Sequence, residues 1–213
     1  MALDQRAARL RMVAEQLTAR DITDERVLEA MRRVPRHEFV PDHLTGQAYD
    51  DHPLPIGHGV TISQPYIVAL MTQALRLQPG DRVLEVGTGS GYAAAVLAEL
   101  ADDVTTIECI APLAEHAGER LTSYGERVHV VAGDGSLGYA PHAPYDAIVV
   151  TAAAPEIPQP LLDQLAPGGR LVIPVGRGVE QLVRVTRTGH GDEREELLPV
   201  RFVPLTGEHG VHR

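Results

Sequence analysis

Val83-Leu84-Glu85-Val86-Gly87-Thr88-Gly89-Ser90-Gly91-Tyr92 is the stretch that decides the fold. An apolar strand runs into a turn with glycine at every second position, and the alanine-rich run from Tyr92 then reads as a helix. That order lets backbone come close to a ligand and aims the unpaired N–H groups of the helix N-terminus at it. The register disfavours one ligand class. The dinucleotide fingerprint Gly-x-Gly-x-x-Gly/Ala, begun at Gly87, needs a small residue at position 92, where this chain has Tyr92.

Outward from this turn, short apolar runs alternate with helical segments, the pattern of a parallel sheet wrapped by helices. Strands are predicted at Arg82 to Val86, Asp103 to Glu108, Val128 to Ala132, Tyr145 to Val150 and Arg170 to Pro174, with helices at Tyr92 to Leu100, Pro112 to Tyr124 and Gln159 to Leu165. Gln181 to Thr188 and Leu197 to Pro204 read as two further strands joined by the polar turn Gly189 to Glu196. On the N-terminal side, Leu10, Val13 and Leu17 recur at helical spacing, as do Val27, Leu28, Met31 and Val34 behind an N-cap candidate at Asp24. Proline-rich Pro35 to Gly59 reads as irregular loop with short strands, and Gln64 to Leu77 as a helix stopped by Gln78-Pro79-Gly80-Asp81. The expectation is an α/β, doubly wound fold in one domain over residues 1–213, with N-terminal helices and a loop in 1–77 and the α/β core with C-terminal strands in 78–213.

With 213 residues the chain suits a single sizeable core. No apolar run approaches the ~20 residues that cross a bilayer. The 19 basic residues, all arginine, face 29 acids for a net charge of −10, which disfavours a phosphate backbone as partner. One cysteine, Cys109, forms no internal disulfide. Neither the pair His209 and His212 nor the pair His52 and His58 stands in a metal-ligand pattern, so no metal is expected; His58, close before Ser63, reads either as a neighbour of the site or as a solvated loop histidine.

Glu-x-Gly-x-Gly-x-Gly, from Glu85 to Gly91, resembles the first motif of class I methyltransferases, a Rossmann-like family. The resemblance implies S-adenosyl-L-methionine as cofactor, released as S-adenosyl-L-homocysteine, bound by Glu85, Gly87, Thr88, Gly89 and Gly91, with the glycines accommodating its methionine moiety. Two acids fall where such a fold uses them. Glu108 ends the second strand at about the interval from which a carboxylate reaches ribose hydroxyls. Asp134, beside Gly135, ends the third, where it either accepts from an adenine amino group or closes an Asx turn between glycines.

Four further stretches narrow the resemblance. Thr61-Ile62-Ser63-Gln64-Pro65 is similar to a signature of protein-L-isoaspartate O-methyltransferases, and so, in matching order, are Val34 to Pro41, Tyr145 to Pro155 and Arg201 to Leu205. Thr151 departs from it, standing where many members have glycine. The resemblance implies methyl transfer to the free α-carboxylate of isoaspartyl residues in damaged proteins and peptides, with Thr61, Ile62, Ser63 and Val203 at the substrate and Ser63 positioning the acceptor. On local sequence alone Ser63 reads first as the cap of the helix beginning at Gln64, and the resemblance is what turns the reading to the acceptor. Also expected are a cytoplasmic monomer and no nucleic-acid or membrane partner. The alternatives are a methyltransferase for a small molecule or nucleic acid, which would share the cofactor site but not the Thr61 to Pro65 constellation, and a nucleotide-binding module without turnover.

Overall fold

The computed structural model describes residues 4–211. Its centre is a seven-stranded sheet of order β5-β4-β3-β6-β7-β8-β9. The first five of these strands are parallel: β5 (Val128–Ala132), β4 (Asp103–Glu108), β3 (Arg82–Val86), β6 (Tyr145–Val150) and β7 (Leu165–Val175). The last two, β8 (Glu180–Thr188) and β9 (Gly191–Val200), are antiparallel. A two-stranded ribbon, β1 (Leu54–Pro55) with β2 (Thr61–Ile62), stands apart.

Central strands read as unbroken apolar runs because both faces of the sheet are covered. On one face Val83, Val104, Ala147 and Val149 pack with the N-terminal helices α1 (Gln5–Met12) and α2 (Glu25–Arg33) and with α3 (Pro65–Leu75) and α4 (Tyr92–Ala98). On the other, Leu84, Val86, Ile107, Ile148 and Val150 pack with Leu161 of α6 (Gln159–Asp163) and with Val183 and Val185. Helix α5 (Ala111–Leu121) follows β4 and lays Ala117 and Leu121 into the first cluster. Among the described residues no helix is long and apolar enough to cross a membrane.

Four expectations from sequence are corrected. Gly189 to Glu196 is not a turn: only Gly189 and His190 link β8 to β9, and the acidic run is strand. Ion pairs of Arg184 with Glu195 and Arg187 with Asp192 hold those charges on the pleat, while Arg201 to Pro204 lies beyond the strand. Strand β7 begins at Leu165, so α6 ends earlier than predicted. The helix around Leu17 continues α1 as a π-helical turn, Val13–Thr18. Finally, Pro35 to Gly59 does contain a short strand, β1, but its first half winds into two 3-10 turns, Arg36–Phe39 and Asp42–Gln47, rather than irregular loop. Fully buried Arg36 braces this region, its Nε donating to Ala48 O at 2.7 Å and its guanidinium lying 4.9 Å from the Tyr92 ring centre.

Candidate active site

The parallel strands end on one side of the sheet, where an open α/β fold binds its ligand. One cavity there is lined by Val60 to Ser63 around β2, by the turn Gly87 to Ser90, by Glu85, Glu108 to Ile110 and Gly135, and by Thr151, Ala152 and Val203 to Thr206. Segments far apart in sequence meet there because 203–205 docks along 153: Ala153 N–H donates to Val203 O, and Leu205 N–H to Ala153 O, each at 2.8 Å.

Gly87 has φ 96°, and a Cβ on it would overlap the hydroxyl of Thr151. That hydroxyl donates to Gly87 O at 2.7 Å. The threonine that departs from the family pattern thus fastens the glycine turn, a role the sequence did not signal. At Gly135 a Cβ would come within 2.6 Å of Val86 Cγ1, so the backbone there lies directly against the floor of the cavity.

Two carboxylates face this space from adjacent strands. Glu108, 6% exposed, accepts from Gly89 N–H at 2.8 Å and from Ile110 N–H at 3.0 Å, which fixes both oxygens at the rim. Glu85 is fully buried; its Oε2 accepts from Thr106 Oγ1 at 2.6 Å, Thr106 Oγ1 lies 2.6 Å from Thr88 Oγ1, and Oε1 has no partner among the described residues. Burial pushes the Glu85 carboxyl up to about 8, with Glu108 adding to the rise and the Thr106 bond opposing it.

Ser63 sits between β2 and α3 on the cavity wall. It is not a cap. The helix starts one residue later than expected, at Pro65, with Gln64 in the cap position and without a side-chain cap bond, and Gln64 instead sends its amide to Asp51. Thr61, Ile62 and Val203 line the same cavity.

Two expected cofactor residues are not among those that line the cavity. Gly91 is outside the lining; a Cβ there would meet Leu121 at 3.1 Å and Ala117 at 3.5 Å, so its smallness serves the packing of α4 on α5. Asp134 is also outside the lining, and the Asx-turn reading describes its geometry. Oδ1 accepts from Ser136 N–H at 2.9 Å and Ser136 Oγ at 2.7 Å, and Oδ2 from Glu208 N–H at 2.8 Å. Burial opposes its ionisation, but these bonds and nearby His209 outweigh it and hold the carboxyl below its usual range. His58 lies on an exposed loop with φ 52° and does not line the cavity. Among the described residues no cluster of His, Cys, Asp or Glu is placed to hold a metal; His212 lies outside them. Ser90, Thr206 and exposed Cys109 were missed as cavity residues. Cys109 Sγ is 3.6 Å from Glu108 Oε1 and 3.3 Å from Thr206 Oγ1.

The lining fits S-adenosylmethionine: bare glycine backbone at Gly87, Gly89 and Gly135, a buried oxygen on Glu85 without a donor among the described residues, and a fixed carboxylate at Glu108. Fold and site together define a class I S-adenosylmethionine-dependent methyltransferase. Residues 8–210 match the family model for Protein-L-isoaspartate(D-aspartate) O-methyltransferase, and the chain belongs to that family. It is 59% identical to Protein-L-isoaspartate O-methyltransferase 1 of Rhodopseudomonas palustris, over 96% of this chain and 85% of that protein. To the enzyme of Methanoculleus marisnigri it is 57% identical, over 96% and 94%. A solved structure from Plasmodium falciparum, a putative protein-L-isoaspartate O-methyltransferase in complex with S-adenosyl-L-homocysteine, superposes with TM-score 0.80 at 27% identity, over 93% of this chain and 98% of that one.

Proposed function

We propose that this protein transfers the methyl group of S-adenosyl-L-methionine to the free α-carboxylate of L-isoaspartyl residues in damaged proteins and peptides, initiating repair through a succinimide. The observation that carries the residue assignment is that the uncommitted Ser63 side chain and the glycine turn open onto one cavity. When bound, the cofactor supplies a methyl group on a sulfonium leaving group. The acceptor carboxylate, with an ordinary pKa near ~4, is already ionised at neutral pH, so no side chain is needed as a base. What the chain must supply is alignment. Ser63 donates its hydroxyl to the acceptor carboxylate, while Thr61, Ile62 and Val203 form the walls that hold the peptide. Gly87, Thr88, Gly89 and Gly135 admit the cofactor, Glu108 accepts from its ribose, and Glu85 lies at its amino-acid end. Asp134 and Gly91 support this set from outside, the first by holding the C-terminal segment and the second by seating α4.

In the transfer an O–CH3 bond forms as the S–CH3 bond breaks, with the electron pair going to sulfur. The ester later loses methanol when the following backbone nitrogen attacks it. We further read the chain as one domain acting as a cytoplasmic monomer on protein rather than nucleic acid, in keeping with its acidic charge and single cysteine.

The test is methyl incorporation from labelled cofactor into matched isoaspartyl and aspartyl peptides. In the normal residue the carboxylate is carried one methylene further out, and misplacement of ~1 Å costs on the order of a hundredfold in rate, so transfer to the isoaspartyl peptide is expected to dominate by about that factor. Equal rates on the two peptides, or transfer only to a small molecule or nucleic acid, would overturn the substrate assignment.

A further inference from the structure

Glu85 lies on the face of β3 that turns toward α3 and α4, lines the cavity, and has one oxygen without a donor. No cation faces it. On its own strand the only basic group is Arg82, which pairs with Asp103 at 3.1 Å at the far end. Strand β4 brings Asp103 and Glu108, and β6 brings Tyr145 and Asp146, the latter accepting from Arg82 N–H. Helix α3 carries Tyr66 alone, whose hydroxyl donates to Asp21; α4 carries Tyr92 alone, whose ring is covered by Arg36 and whose hydroxyl meets Met31 Sδ. The charge that acts on Glu85 is thus another anion, Glu108. A carboxyl so placed holds its proton until a cation arrives to replace it.

We propose that Glu85 is a proton-linked receptor for the ammonium group at the amino-acid end of the cofactor, so that ligand binding ionises Glu85 and releases one proton to solvent, with Thr106 as the positioning residue that couples this change to Thr88. The proposal rests on the reading of this cavity as the cofactor site.

Thr106 is fully buried and does not line the cavity, yet it joins Glu85 to Thr88, which does. Each hydroxyl has one proton to give. With Glu85 ionised, Thr106 donates to Oε2 and Thr88 donates to Thr106, so both hydroxyls point inward. With Glu85 protonated on Oε2 the chain reverses, and Thr88 offers its proton to the cavity. The charge state at the bottom of the site therefore sets whether Thr88 meets the ligand as donor or acceptor.

Calorimetric titration of the protein with S-adenosylhomocysteine, in buffers of different ionisation enthalpy, counts the protons. At pH 7 a carboxyl titrating at about 8 gives up about 0.9 proton per ligand bound, and affinity climbs by up to tenfold per pH unit between pH 6 and 8. Methylthioadenosine, which lacks the amino-acid end, releases none. Glu85→Gln removes the proton release with the longer ligand. Thr106→Val keeps the release but moves the pH profile upward by about one unit, because a bond favouring the ionised form is gone, and Thr106→Ser restores the original profile. Tight binding of S-adenosylhomocysteine without proton release, or equal release with methylthioadenosine, overturns the proposal while the cofactor site stands. An unshifted Thr106→Val profile overturns the role of Thr106, and failure of S-adenosylhomocysteine to bind at all overturns the site itself.

Discussion

Replacing Ser63 with alanine separates positioning from folding more cleanly at this site than any other single change. Its hydroxyl makes no hydrogen bond with the described residues, and α3 begins without a side-chain cap, so the variant forfeits neither a capping bond nor a buried contact. Stability should change by under about 0.5 kcal/mol, the range of surface substitutions away from special features. The acceptor, by contrast, loses a donor to an ionised oxygen, a bond of the charge-assisted kind that contributes about 1.5–3 kcal/mol. Because that carboxylate must stay aligned through the transfer, the loss falls on kcat/KM for isoaspartyl peptide as a drop of about 10- to 150-fold. The dissociation constant of S-adenosylhomocysteine should stay put, since Ser63 is assigned to the acceptor. Peptide methylation, ligand titration and urea unfolding on the same preparation read the three quantities. Full activity in the variant, or a loss of activity matched by an equal loss of stability or cofactor affinity, would refute the assignment.

Gly87→Val should abolish binding of S-adenosylhomocysteine in a chain that circular dichroism still reports as folded. It forces a β-branched residue to φ 96° and drives its Cβ into the Thr151 hydroxyl; unchanged affinity would place the cofactor elsewhere. Glu108→Ala should weaken the same ligand by on the order of 1–3 kcal/mol, about 5- to 150-fold in Kd, read by titration. Asp134→Ala should act on stability, by about 1 kcal/mol for the lost cap and more as Glu208 is released. The wild-type carboxyl is lowered in the folded state, so its contribution is present above the unfolded value near 3.8 and fades as pH falls through the folded value. Urea melts from pH 7 to 3 should thus show a shallower acid-side decline in the variant, and parallel curves would contradict the account.

The five parallel strands were legible because each is an apolar run bounded by glycine, proline or polar residues, and four of them begin and end where the sequence suggests. Strand β9 was not, since Asp192-Glu193-Arg194-Glu195-Glu196 has no apolar alternation, and it is held extended by its ladder with β8, where arginines pair with two of its acids. In the site, Glu85 and Gly87 could be named from the spacing of the glycine turn, Glu108 from its interval beyond that turn, and Ser63 only through the likeness of Thr61 to Pro65 to a family signature. Asp134 could not be resolved, because Gly-Asp-Gly-Ser is equally a ligand-facing acid and an Asx turn until Glu208, 74 residues away, is seen to occupy it. Thr151 escaped for a similar reason: its partner, the Gly87 carbonyl, follows the neighbouring strand but lies 64 residues away in sequence and leaves no local trace.

The position of Cys109 has a practical consequence. The chain's one thiol lies at the rim of the cavity, within van der Waals reach of the Glu108 carboxylate that is assigned to the ribose. A maleimide dye or an environment-sensitive probe attached there would report from the mouth of the site with no competing label to subtract. The same uniqueness makes preparation history matter. Peroxide in an ageing buffer adds oxygen to an accessible sulfur, and at this rim the added bulk would depress activity as a mutation would, with the fold intact and thermal melts unaltered. Keeping reductant in every preparation, and weighing intact protein for a gain of one oxygen, would separate an oxidised sample from an inactive variant.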